Sequence, residues 1–99
     1  MVGTKENHAK TATNFFINLL IDKYKLSTDY QVAKFLGVNT CQISNYRYGR
    51  REFSDTNCLF IAEKLEYPKQ IVLLSVWASR EKNPEIRKVY KQLLDDYNA

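Results

Sequence analysis

The sequence predicts an all-α protein of five to six short helices. Apolar residues recur at three- and four-residue spacing in successive windows, and Ser, Thr or Asn repeatedly precedes such a window as a helix start. No stretch alternates β-branched and polar residues. Ninety-nine residues, 44% hydrophobic with three Gly and two Pro, suit one domain of modest core.

Residues 1–10 carry no apolar period and are expected to form a flexible N-terminal arm. A first helix from about Thr11 to near Leu26 would place Phe15, Phe16, Leu19 and Leu20 on one face. Thr28-Asp29-Tyr30-Gln31 then matches a capping box, Val32, Ala33 and Leu36 follow at helical spacing, and Gly37 ends the helix. Asn39 can cap a third helix reaching Tyr46 or Tyr48, with Gly49-Arg50-Arg51-Glu52 as a loop. A fourth helix starts at Ser54 or Asp55 and turns Cys58, Ile61, Ala62 and Leu65 inward. Pro68 suits the first turn of a fifth helix running to about Lys82. Asn83-Pro84-Glu85 opens a sixth, expected to bury Ile86, Val89, Tyr90, Leu93 and Leu94.

Composition excludes several classes. A zinc site needs about four ligands, whereas the chain has Cys41, Cys58 and a single histidine, His8, in the arm. No metal or cofactor is therefore expected. Two reduced cysteines in a cytosolic protein are the preferred reading, although counting alone leaves a disulfide open. The first ten residues are polar, unlike a signal peptide, and the apolar stretches at 15–21 and 71–77 are too short to span a bilayer. A soluble, cytoplasmic protein with no membrane partner is expected. No nucleophile–base pairing or phosphate-cradling glycine loop is visible, so no catalytic residues are assigned and an enzyme is not expected. The net charge of +4 suits a polyanionic partner without deciding the matter.

Residues 28–51 carry the functional information. Two helices meeting steeply need a small residue at their closest approach, supplied by Ala33, and a turn tolerant of positive φ, supplied by Gly37. Val38 and Ile43 would lock the second helix onto the first, and Tyr46 continues the inward face. That leaves Thr40, Cys41, Ser44, Asn45 and Arg47 outward, with Gln42 at the flank. Arg47, Arg50 and Arg51 form a compact positive cluster suited to clamping phosphate. Tyr48 is either exposed, stacking on sugar–phosphate, or covers the core.

The set Ala33-x-x-x-Gly37-Val38, Ile43-Ser44-Asn45-Tyr46, Gly49 and Ile61-Ala62-Glu63-Lys64-Leu65 resembles the lambda-repressor/Cro helix-turn-helix family over about residues 12–67. The resemblance implies a lambda-repressor-like DNA-binding domain at 11–67, whose second motif helix lies in the major groove of double-stranded DNA. It implies base-reading roles for Thr40, Cys41, Gln42, Ser44 and Asn45. Asparagine and glutamine suit adenine, while Thr40 can offer a methyl to thymine. Asp29 stands where the family commonly has a polar residue contacting phosphate. An acid there repels the backbone unless a nearby base pairs with it, which makes Thr28 and Gln31 the phosphate candidates on that helix.

Residues 68–99 extend beyond such a domain as a C-terminal helical hairpin. Its first helix, Ile71-Val-Leu-Leu-Ser-Val-Trp-Ala78, is apolar nearly all round. It either wraps the bundle or, the preferred reading, forms a homodimer interface through Val72, Leu73, Val76 and Trp77 that pairs two motifs on a palindromic operator. The tail also resembles those of small phage regulators, including filamentous ones. The leading expectation is a transcriptional repressor of phage or mobile-element origin, associated with the nucleoid of a bacterial or phage-infected cell. The alternative is an antitoxin or antirepressor acting through its apolar tail. No small-molecule ligand is evident.

Overall fold

The computed structural model describes residues 8–98, so the first seven positions of the expected arm lie outside the described residues. Those described residues form six helices and no strand: α1 (Ala12–Tyr24), α2 (Asp29–Leu36), α3 (Thr40–Arg47), α4 (Asp55–Leu65), α5 (Lys69–Arg80) and α6 (Pro84–Asn98). The chain divides into two compact units, residues 1–52 and 53–99. The first holds α1 to α3, and the second holds α4 to α6.

In the first unit, each helix start is fixed by a side chain accepting from a backbone N–H that the helix itself leaves unpaired. Thr11 accepts from the Asn14 N–H at 3.2 Å, Thr28 from Gln31 at 3.1 Å and Asn39 from Gln42 at 2.8 Å. The ends are closed by left-handed residues. Gly37, at φ 72°, lets the Val38 N–H return to the Ala33 carbonyl at 2.9 Å. Gly49, at φ 75°, lets the Arg50 N–H reach Asn45 O, also at 2.9 Å. Both are Schellman closures, which require the left-handed residue just past the helix. Lys25 ends α1 the same way at φ 56° without being glycine.

The buried face of α1 is rotated from the expected one. Phe16 and Leu20 are buried as expected, but Thr13, Asn14 and Ile17 complete the face. Phe15 is 56% exposed and Leu19 only half-buried. The cause is polar. The Thr13 N–H and hydroxyl donate to one Glu52 carboxylate oxygen at 3.3 and 3.0 Å, and Asn14 serves the end of α3. Turning Thr13 and Asn14 inward carries Phe15 out. The Glu52 carboxylate also sits at the positive end of α1, where negative charge is favoured.

In the second unit, Ser54 caps α4 by accepting from the Asn57 N–H at 3.2 Å, and Cys58, Ile61, Ala62 and Leu65 are buried as expected. Pro68 is the residue before α5 rather than within its first turn, and the helix stops at Arg80, short of Lys82. Glu81 is extended there, and its carbonyl accepts from Arg87 Nε and Nη2 at 3.1 and 2.7 Å. Asn83 starts α6 as expected, its side chain accepting from the Glu85 N–H at 3.0 Å.

Two expectations for this unit are corrected. Val72 and Val76 are fully buried within the chain, so they cannot also form a surface between copies. Trp77 is half-buried. Its indole N–H donates to Asp55 Oδ1 at 2.8 Å and its ring lies 6.1 Å from that of Tyr90. Leu73 is half-buried. The indole bond and the Arg80 guanidinium, 3.1 Å away, hold the Asp55 carboxyl below its ordinary pKa. On α6, Ile86, Val89 and Leu93 are exposed rather than buried, at 41%, 57% and 46%. A single neighbouring helix, α5, covers one side of a cylinder, and the half-buried Tyr90 and Leu94 occupy that side.

The two positive-φ glycines should respond differently to alanine. A Cβ on Gly37 meets nothing within 4 Å, so Gly37→Ala should cost only the left-handed backbone penalty of about 1–2 kcal/mol. A Cβ on Gly49 falls 2.8 Å from the Ala9 Cβ. Gly49→Ala should therefore cost about 2–4 kcal/mol, the backbone term plus overpacking. Urea denaturation of the two variants measures the difference.

Candidate nucleic-acid interface

An eight-residue helix such as α3 has little stability of its own in water. What fixes it is its inner side. Ile43 and Tyr46 are almost wholly buried, α3 packs on α2 and α1, and Ala33 is buried on α2. Val38 is half-buried in the turn. The Tyr46 hydroxyl accepts from Gln42 Nε2 at 3.5 Å, drawing Gln42 toward the flank of the helix.

The C-terminal end of α3 is held by a side chain from α1. Asn14 Nδ2 donates to the carbonyls of Tyr46 and Arg47 at 3.0 and 3.2 Å, and to that of Ala9 at 2.8 Å. The Ala9 N–H in turn donates to Arg47 O at 2.8 Å. Thus the last carbonyls of α3, which the helix cannot satisfy itself, find donors from two other segments of the same unit.

Arg47 overturns an expectation. It is only 3% exposed, and its Nη1 donates to Asn18 Oδ1 at 3.1 Å and Asn14 Oδ1 at 3.4 Å. Its Nε and Nη2 are buried without a partner. Burial pushes the guanidinium below its ordinary pKa, and the nearby Asp29 charge partly opposes this. Arg47 is therefore a brace between α3 and α1, not a surface group for phosphate. Asp29 makes no ion pair with it, and the Asp29 Oδ1 is itself buried without a hydrogen-bond partner.

The outer side of α3 carries the remaining polar groups. Thr40 and Cys41 are exposed, while Gln42, Ser44 and Asn45 are half-buried. Cys41 and Cys58 are both free thiols. Arg50 and Arg51 are exposed in the loop that follows. Arg50 folds back over α3. Its Nε donates to Asn45 Oδ1 at 2.9 Å, its Nη2 to Ser44 Oγ at 3.4 Å, and its guanidinium lies 5.1 Å from the ring centre of the exposed Tyr48. Tyr48 thus faces outward, the first of the two alternatives. Asn45 has its carbonyl oxygen engaged by Arg50, which leaves its amide as a donor.

Thr28 and Gln31 lie at the start of α2 with part of their capacity already used. Thr28 Oγ1 caps the helix, and Gln31 Oε1 accepts from the Ser27 N–H and hydroxyl at 2.6 and 3.0 Å. The Thr28 hydroxyl hydrogen and the Gln31 amide donors remain. An open groove of about 390 Å³ between α2 and α3 is lined by Tyr30, Ala33, Lys34, Val38, Asn39 and Thr40. Among the described residues, no three His, Cys, Asp or Glu side chains are grouped to hold a metal, and no helix is long and apolar enough to cross a membrane.

Asn14 and Arg47 should separate in mutagenesis. Asn14→Ala removes three donated bonds to carbonyls and one of the two acceptors of Arg47 Nη1, and should lower the unfolding free energy by about 2–4 kcal/mol. Arg47→Met, which replaces a poorly satisfied buried cation by an apolar chain of similar length, should stay within about 1 kcal/mol of the parent or exceed it. Urea unfolding checks both, and a loss above about 3 kcal/mol for Arg47→Met would contradict its poorly partnered state.

No family model, curated protein sequence or solved structure matches the chain.

Proposed function

We propose that the chain is a sequence-specific double-stranded-DNA-binding regulator, a repressor of the phage or mobile-element kind, with α3 reading the major groove. The observation that carries this reading is the two-sidedness of α3. Its inner side is spent on Ile43, Tyr46 and Arg47, and its outer side presents Thr40, Cys41, Ser44 and Asn45, the last two bonded to Arg50. A single helix is the size of element that the roughly 12 Å major groove admits. Thr40 and Ser44 supply hydroxyls, and Asn45 supplies amide donors suited to base-edge acceptors. Gln42 contributes from the flank. Arg50 and Arg51 supply the exposed positive charge for phosphate, with Thr28 and Gln31 at the neighbouring helix start. In this reading two copies occupy a palindromic operator.

A second reading, a protein-interaction module of the antitoxin or antirepressor kind, is favoured by the exposed apolar residues of α6. It differs in needing neither Arg50 nor Arg51.

The DNA reading is tested by duplex binding, followed by fluorescence anisotropy over a range of salt. Replacing both Arg50 and Arg51 by alanine should weaken all sequences about equally and flatten the log–log salt dependence by about 2. Asn45→Ala should instead relax preference at particular base pairs, by about 1–3 kcal/mol each. Absence of duplex affinity at low salt, or no change in the double arginine variant, would contradict it.

A further inference from the structure

Asn45 and Arg50 are tied together twice. The left-handed Gly49 turns the chain back at the end of α3, and the Arg50 N–H donates to the Asn45 main-chain carbonyl at 2.9 Å. The side chains repeat the connection, with Arg50 Nε donating to Asn45 Oδ1 at 2.9 Å and Nη2 to Ser44 Oγ at 3.4 Å. The Tyr48 ring centre, 5.1 Å from the guanidinium, is within the range at which an aromatic ring attracts a cation. Arg50 therefore meets α3 with the edge of its fork that carries Nε and Nη2. Its Nη1 hydrogens are left for phosphate.

This contact decides which half of the Asn45 amide is left for a base. A guanidinium only donates, so the amide atom turned to it is the oxygen, and the NH2 group remains. An unengaged asparagine suits adenine, because it accepts from N6 while donating to N7. With Oδ1 held, adenine offers one acceptor beside a donor that opposes the NH2 group. Guanine offers N7 and O6, two adjacent acceptors, on the same edge. Freeing Oδ1 for adenine breaks a charge-assisted bond, the stronger kind, to form a neutral one.

We infer that Arg50 sets the base that Asn45 reads: with the two side chains joined, Asn45 selects guanine over adenine. The inference rests on the proposed DNA reading and names the base at one position of it. It makes Arg50 a positioning residue for base recognition as well as a phosphate contact. Loss of the Arg50 charge weakens binding to all sequences, and the change of base preference comes on top of that loss. The ratio of affinities for duplexes differing at the one base pair separates the two effects, because the uniform loss cancels.

Two measurements on the full chain test it. Without DNA, NMR of the arginine side chains should show the Arg50 Nε–H exchanging with water more slowly than that of Arg51, and Asn45→Ala should remove the difference. Selection from random duplexes with the parent chain and with Asn45→Ala then locates the base pair whose preference Asn45 carries. There the parent should favour guanine over adenine by about tenfold. Arg50→Met, which removes the donors and keeps a chain of similar reach, should reverse that preference toward adenine. Arg51→Ala should weaken binding and keep the guanine preference. Circular dichroism of Arg50→Met should show parental helix content, since Arg50 is exposed. An adenine preference in the parent, or a guanine preference that survives Arg50→Met, would overturn the inference. So would an Arg50 Nε–H that exchanges as fast as that of Arg51. A slowly exchanging Arg50 in a chain without duplex affinity would instead overturn the DNA reading, and the base assignment with it.

Discussion

The side chain of Asn14 is the constraint on which the first unit depends. α3 is too short to persist by itself, and its last carbonyls need donors that its own backbone cannot provide. Asn14 supplies them from α1 and is itself nearly fully buried, so the bonds are shielded from water. Arg47 adds a second connection in the same place through Asn14 and Asn18. With its end fixed in this way and Ile43 and Tyr46 buried, α3 can leave its outer side polar without losing its position. In the proposed function, that outer side is the part that reads DNA, and a fixed helix loses little conformational freedom on binding.

The same constraint explains which features were legible in the sequence. Caps and glycine closures are local. Thr28, Asn39, Ser54 and Gly37 act within five residues of their partners, so their residue types announced them. The inward positions of α4 followed from spacing alone. The rotation of α1 and the burial of Arg47 did not, because they arise from contacts across 32 to 39 positions of sequence. Asn14 and Asn18 look like ordinary solvated polar residues when read in order. The end of α3 and the cation placed opposite them give them their roles, and an arginine one turn past Ile43 reads as a surface group until its neighbours are known. A helical polar pair on the face adjoining Phe16 and Leu20 was the available signal. It is a weak one, since the same pattern occurs on helices whose polar residues face water.

The second unit shows the opposite failure. The apolar period of α6 was legible, but period reports which residues share a face and says nothing about what covers it. Val72 and Val76 were expected at an interface because α5 is apolar nearly all round; the helix spends that surface on its own unit, where α4 and α6 pack against it. The uncovered face belongs to α6, one element later.

Selection of bound fragments from a pool of random duplexes, using the full chain at low salt, tests the central claim most directly. A helix with Thr40, Ser44 and Asn45 turned to the base edges predicts a recurring sequence in the bound pool. Two copies related by a two-fold axis predict that it recurs as an inverted repeat. A bound pool indistinguishable in sequence from the input would contradict the reading of α3 as the element that recognises DNA.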